Sequence, residues 1–163
     1  MALIAAACGG GPSFEDPRLL EFEDDLTTPG QGHLQSGVSF PYATDPPYGG
    51  PHSGNLLPCG IYQDEQPPER YLHTMEHGAI VIHYQPDVFA HEDVAALRQL
   101  GSALLQQGER IVLAPNRSME SPVVVASWGR LLPLESGEEA AIRAFVDAFE
   151  DDAPESISRS RAC

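Results

Sequence analysis

Residues 79–84 read Ala79-Ile-Val-Ile-His-Tyr84, a β-rich run whose first positions are apolar on both faces of an extended chain. Strands buried on both faces have this composition, so the run predicts a central strand of a sheet. A helical stretch follows, with Glu92 and Asp93 in its first turn, where carboxylates favour the helix dipole, and with Gly108 as its stop. Its apolar positions keep helical spacing: Val94, Leu97, Leu104 and Leu105.

Two more strands and a helix complete the regular part of the chain. The strands are predicted at residues 110–114 and 123–127, and Ser136 with Glu139 forms a capping box that opens the helix. One face of this helix is apolar at i, i+3, i+4 and i+7: Ile142, Phe145, Val146 and Phe149. The predicted fold class is α/β, a β-α-β-β-α sandwich in which a crossover helix joins a parallel pair and an antiparallel strand is added.

Thioredoxin-like domains end with the same order of strands and helices. A thioredoxin-like fold is therefore the more specific prediction. Pro122 stands before the third strand, where such domains carry a proline. The chain has no Cys-x-x-Cys motif, so the redox role of that fold is excluded.

Proline and glycine divide the chain into an irregular first half and a regular second half. Of the 30 Pro and Gly residues, 22 precede residue 90, so residues 9–70 are predicted to form turns and short extended pieces. We expect a flexible acidic arm at residues 9–40, a globular domain at 41–152 and a C-terminal tail at 153–163.

Charge and composition exclude several classes of function. The 163 residues include 24 acidic and nine basic side chains, a formal charge of -15, and all nine basic residues are Arg. Without lysine there is no Schiff-base or phosphate-loop lysine. A negative field repels phosphate backbones, so nucleic acid is not expected as a partner. No apolar run reaches the roughly 18–20 residues of a membrane span.

The first eight residues resemble the end of a bacterial lipoprotein signal peptide. An apolar stretch with small residues runs into Cys8, and three glycines follow as a tether. We therefore expect residues 1–8 to be a signal-peptide remnant, Cys8 to carry lipid, and the domain to lie outside the cytoplasm, anchored to the cell envelope. The alternative is a disordered apolar N-terminus.

The two remaining cysteines are Cys59 and Cys163. An oxidising compartment permits a disulfide between them. Cys59 is otherwise predicted to be a small buried side chain or a metal ligand, and the sequence leaves these alternatives open.

Two histidines four residues apart lie in the segment His73-Thr-Met-Glu-His77. On a helix, positions i and i+4 share a face, and on a strand His73, Met75 and His77 share one, so either conformation brings two imidazoles together. His52 lies in a turn-forming stretch, residues 46–54, that has little backbone freedom to lose. The pattern predicts a histidine-based metal site, and the alternative is a pair of core histidines bonded to carbonyls. His33 lies in a polar loop and is assigned no role.

Four separated phrases occur in order along the chain: Pro46 to His52, Gly60-Ile61-Tyr62, His73 to Gly78, and Trp128-Gly129-Arg130. Together they resemble the bacterial family called domain of unknown function 3105, over about residues 40–150. The resemblance implies a secreted or membrane-anchored protein and supports the importance of His52, His73, Glu76 and His77. It implies no reaction. Met75 and Cys59 depart from the family pattern.

These observations predict an extracytoplasmic metal-binding protein for binding, storage or transfer of the ion. The expected ligands are His52, His73 and His77, with Glu76 as fourth ligand or orienting group and Met75 as an added soft ligand. Copper is the first choice of ion and zinc the alternative. A metal-dependent enzyme, with Glu76 moving the proton of a metal-bound water, is a second hypothesis. The third is a structural surface protein that forms homo-oligomers through its N-terminal arm.

Overall fold

A computed structural model describes residues 14–22 and 33–156. In these residues a six-stranded mixed sheet is flanked by three helices. The strands are β1 (Leu20–Glu21), β2 (Gly60–Ile61), β3 (Ile80–Tyr84), β4 (Ile111–Pro115), β5 (Val123–Ser127) and β6 (Arg130–Leu134). The helices are α1 (Pro68–Glu76), α2 (His91–Gln107) and α3 (Glu139–Phe149). The order across the sheet is β1-β6-β5-β3-β4-β2.

The predicted central strand is confirmed as β3. It pairs in parallel with β4 and antiparallel with β5, and Ile82 stands opposite Leu113 on one side and Val125 on the other. All five of its residues are buried. A strand hydrogen-bonded on both edges and covered on both faces needs apolar residues at consecutive positions, which explains the composition of this run.

The two faces of the sheet bury separate apolar clusters. Ile80 and Ile82 belong to a cluster that includes side chains of α2 and α3. Val81, which points the other way, belongs to a cluster with Leu72 and Met75 of α1. Helix α1 therefore packs on one face of the sheet, and α2 and α3 pack on the other.

Several sequence predictions of single elements are confirmed. Helix α2 ends at Gly108, whose φ of 93° is left-handed. The N–H of Gly108 donates to the carbonyl of Leu105, and the N–H of Glu109 donates to the carbonyl of Leu104. The strand predicted at 123–127 is β5, and the apolar face of α3 is buried through Ile142, Phe145 and Val146. The α/β class is confirmed.

Two predictions are wrong in detail. The predicted order omits β6, which follows β5 through a turn at Trp128 and Gly129 and carries Pro133 in its interior. Proline is rarely found inside a strand that has a neighbour on both edges. β1 pairs only with the first two residues of β6, so at Pro133 β6 pairs with β5 alone among the described strands. The capping box is also absent. The N-cap of α3 is Glu138 with no side-chain cap bond, because the helix begins too late for Ser136 to cap it.

Part of the predicted flexible arm packs against the domain. Phe14 contacts the rings of Phe145 and Phe149, with centroids 5.7 and 5.3 Å apart. Phe22 stacks on Tyr48 at 3.6 Å, and β1 pairs with β6. Within residues 14–22 these aromatic side chains have apolar partners that the sequence does not reveal, and the flexibility of the arm stays a prediction.

Some predictions fall on residues that the structure does not describe. These are the signal-peptide remnant at 1–8, lipid at Cys8, and Cys163 as a disulfide partner. Cys59 is disulfide-bonded, and its pairing with Cys163 stays a prediction. None of the helices in residues 14–22 and 33–156 is long and apolar enough to cross a membrane.

Candidate metal centre

The segment from His73 to His77, for which the sequence does not distinguish helix from strand, forms the end of α1. The helix begins with Pro68 at its first position, a favourable place for proline, and His77 follows its last residue as the C-cap. His73, Glu76 and His77 therefore stand at i, i+3 and i+4 and share one face. Met75 lies about 200° round the helix from His73, at about 100° per residue.

Met75 accordingly takes no part in this polar face. It is fully buried in the apolar cluster between α1 and the sheet. The thioether was expected to add a soft ligand, but helical geometry directs it into the core. Met75 therefore lies outside the candidate ligand set.

The loop that carries His52 is tied to two other parts of the chain by backbone hydrogen bonds. The N–H of Leu34 donates to the carbonyl of His52 at 2.8 Å. The N–H of Ser53 donates to the backbone carbonyl of Glu69, in the first turn of α1, at 2.8 Å. His52 is thereby held against the helix, and its ring lies 5.2 Å from that of His73.

The same bridge brings in a fourth histidine, to which the sequence assigned no role. Leu34 pairs with Ser53, so His33 lies beside His52 and stacks on His73, with ring centroids 4.8 Å apart. Two overlapping groups of ligand atoms lie within 4.8 Å of one another: His33, His52 and His73, and His73, Glu76 and His77. No local pattern marks His33, because only the pairing of residues 34 and 53 places it here.

Three of the imidazoles use Nδ1 in the same way. Each lies at hydrogen-bond distance from a backbone carbonyl oxygen: His52 to Gly50 at 2.8 Å, His73 to Ser53 at 2.7 Å and His77 to Glu155 at 2.7 Å. A carbonyl oxygen only accepts, so each Nδ1 carries a proton. In the neutral ring, Nε2 then has a lone pair available to a cation. Metal-ligating histidines show the same arrangement.

The Nε2 atoms of His73 and His77 are 2.9 Å apart. In two neutral rings with protonated Nδ1, these atoms present lone pairs to each other. The contact is favourable only when a proton or another cation lies between them. Burial lowers the pKa of His73, and its histidine neighbours lower it further, so a second proton on this ring is costly.

The His52 ring faces a carboxylate. Its Nε2 lies 3.0 Å from Oε2 of Glu76, in ion-pair range but without the alignment of a hydrogen bond. Burial lowers the pKa of His52, but the Glu76 carboxylate and the Gly50 carbonyl outweigh it, and the net shift is upward. The pKa of Glu76 is in turn lowered, because the histidines outweigh the effect of burial. The two shifts favour a protonated His52 and an ionised Glu76, which are the charge states of an ion pair.

The family model of proteins of unknown function called DUF3105 matches residues 33–161. The chain belongs to the DUF3105 family. The resemblance found in the sequence is confirmed, and the match extends beyond both ends of the range expected from the motifs. The match begins at His33 and includes Glu155. It therefore contains the whole histidine cluster and the Glu155 carbonyl that orients His77; the cluster consists of His33, His52, His73, Glu76 and His77. No curated protein and no solved structure gives a significant match.

In this DUF3105 domain a buried arginine holds the end of α1. Nη1 of Arg110 donates to the carbonyl of His77 at 2.8 Å, and the backbone N–H of Arg110 donates to the side-chain carboxylate of Glu150 at 2.7 Å. The guanidinium also forms ion pairs with Glu150 and Asp151. Since the segment after α3 supplies the Glu155 carbonyl, Arg110 links that segment to the candidate site.

Residues 153–156, expected to begin a tail, are part of this arrangement. The N–H of Glu155 donates to the carbonyl of Glu76 at 3.1 Å, while its own carbonyl accepts from His77. Arg110 and Glu155 were missed by sequence reasoning. A backbone carbonyl leaves no mark on side-chain identity, and Arg110 lies 33 positions from His77.

Proposed function

We propose that this DUF3105 domain binds a divalent transition-metal ion through His52, His73 and His77, with His33 and Glu76 available to complete the site. The observation that carries the proposal is the common use of Nδ1 by three imidazoles, which leaves Nε2 of each ring directed at another member of the cluster: His73 and His77 face each other, and His52 faces Glu76. His52 and His77 belong to different groups of close ligand atoms, and His73 is common to both groups. Core histidines, the competing interpretation, have no need to bring two Nε2 lone pairs to 2.9 Å.

The chemistry of the cluster favours cupric copper or zinc. Imidazole nitrogen suits both ions, and copper(II) stands first in the affinity order. A tetrahedral zinc with Zn–N bonds of about 2.05 Å separates its nitrogens by about 3.3 Å, so the His73–His77 pair needs only a small opening. With Met75 in the core, no sulfur ligand joins the cluster from residues 14–22 and 33–156, which disfavours cuprous copper.

Binding, storage or transfer of the ion is the role that we infer first. A metal-dependent enzyme is the second candidate, and one observation favours it: Glu76 brings a carboxylate into the cluster, where it can accept a proton from a bound water. Assembly through the N-terminal arm is less well supported, because residues 14–22 pack on their own sheet.

We further propose that the protein lies outside the cytoplasm, attached to the envelope through lipid on Cys8. The disulfide at Cys59 supports an oxidising compartment. A thioredoxin-like fold is proposed on the arrangement of β3, α2 and β4 as a parallel crossover unit, followed by the β5–β6 hairpin and α3.

Metal analysis and titration calorimetry test the metal site. Protein purified without added metal is stripped with chelator and titrated with Cu²⁺ and with Zn²⁺. We expect one tight site in the wild type and a loss of at least 100-fold in affinity for His73→Ala and His77→Ala, more than the roughly 10–100-fold typical of removing a group that only orients a ligand.

His91→Ala is the matched control, because His91 is exposed in the first turn of α2 and belongs to neither ligand group. It should bind metal as the wild type does. Unchanged affinity in both His73→Ala and His77→Ala would show that the histidines are structural.

A further inference from the structure

A second candidate site lies away from the histidine cluster, at the opposite end of α1. A cavity of about 410 Å³ opens where β3 and β4 end, and Tyr71 and His83 form part of its wall. None of the five side chains of the metal centre lines it. In open α/β sheets, ligands bind outside the carboxyl ends of the strands, and about 300–1,000 Å³ is the usual size of a small-molecule site.

His83 is the unusual residue of this cavity. It is 2% exposed, and neither ring nitrogen has a hydrogen-bond partner among the described residues. Tyr71 packs edge-on against the ring, with centroids 5.0 Å apart. A buried polar group without a partner is costly, and a polar group of a ligand that reaches the imidazole removes that cost.

The charge of the cavity is negative. Asp45 and Glu65 line it, and none of the described residues that line it is Lys or Arg. Both carboxylates are held in place: the side-chain amide of Asn116 donates to Asp45 at 2.6 Å, and the N–H of Arg117 donates to Glu65 at 2.7 Å. Burial and the charge of Asp45 raise the pKa of Tyr71. An anionic ligand would be repelled by this wall.

The protonation of His83 agrees with a cationic ligand. Burial lowers its pKa to about 3, so the ring is neutral near pH 7 and adds no positive charge to the cavity. A neutral imidazole offers one nitrogen that accepts a hydrogen bond and one that donates. A metal ion is disfavoured, because His83, Asp45 and Glu65 form no group with ligand atoms close enough to share one.

We propose that the cavity between Tyr71, His83, Asp45 and Glu65 binds a small organic ammonium ion with an apolar body. The carboxylates attract the ammonium group, and the tyrosine and proline side chains of the wall contact the apolar part. The inference is independent of the metal centre.

Three probes of similar size and different charge test the proposal: benzylamine, benzyl alcohol and benzoate. Each is titrated into metal-free protein while the ring signals of His83 are followed by NMR. We expect benzylamine to shift these signals in a saturable manner, and the alcohol and benzoate to bind at least tenfold more weakly. An equal response to benzyl alcohol, or no response of His83 to benzylamine, would overturn the assignment.

Variants exclude the other places where an amine could bind this acidic protein. Asp45→Asn and Glu65→Gln should each weaken benzylamine at least fivefold. Asp64→Asn is the matched control, since Asp64 is exposed beside Glu65 and does not line the cavity. His73→Ala should leave benzylamine affinity unchanged. Equal losses in Asp64→Asn and Asp45→Asn, or loss in His73→Ala, would place the amine elsewhere and refute the proposal.

Discussion

Gly78 directly follows His77 at the end of α1, and its substitution tests how the candidate site is supported. Its φ of 97° lies in the left-handed region, which costs a residue with a side chain about 1–2 kcal/mol. A Cβ at this position would lie 2.8 Å from Nη2 of Arg110 and 2.9 Å from Cα of Asp151. The second contact is with backbone, so Gly78→Ala must displace the segment that follows α3.

Overpacking of this kind costs about 1–3 kcal/mol beyond the backbone term. We therefore expect Gly78→Ala to lower the free energy of unfolding by about 2–5 kcal/mol in total. Gly108→Ala is the matched control. Its φ of 93° is nearly the same, but no atom of the described residues, apart from its own chain neighbours, lies within 4 Å of the added Cβ, so only the backbone term applies.

Urea unfolding of the metal-free proteins measures both changes, and copper or zinc titration then measures the site. Because the displaced segment carries the Glu155 carbonyl that orients His77, Gly78→Ala should also weaken metal binding at least tenfold, whereas Gly108→Ala should not. If the two variants lose the same stability and keep the same affinity, the close packing of Arg110 and Asp151 around Gly78 is not what supports the site.

Two further predictions concern proton release and the N-terminal segment. The raised pKa of His52 means that more than half of this imidazole carries a proton at pH 6.5, and Nε2 must lose that proton before it binds metal, so metal affinity should rise with pH through and above about 6.5. Calorimetry at pH 6.5 in two buffers of different ionisation enthalpy should show fewer protons released on metal binding by His52→Gln than by the wild type, and equal release would contradict the raised pKa. Phe14→Ala should cost about 1–2 kcal/mol and speed tryptic cleavage after Arg18, because Phe14 packs on Phe145 and Phe149; rapid cleavage of the wild type at Arg18 would show that the segment is weakly held.

Local sequence pattern was sufficient for much of the second half of the chain. β3, β4 and β5 have consecutive apolar residues, and α2 and α3 have helical periodicity. A short window of sequence is therefore enough to predict the conformation of each of these elements. The same holds for part of the site. His73, Glu76 and His77 are close in sequence, and their spacing of i, i+3 and i+4 places all three on one face of a helix.

What the sequence did not reveal depends on partners far along the chain. β1 and β2 have two residues each, too few for a periodic signal, and exist because β6 and β4 pair with them. The strand β6 was not predicted, because its sequence contains Pro133. His33 enters the cluster only through the bridge of Leu34 to Ser53, and His77 is oriented by a carbonyl 78 positions away. Sequence pattern identifies residues that are capable of ligation, but the hydrogen bonds that set each imidazole's Nε2 toward its neighbours form only when the distant segments pack.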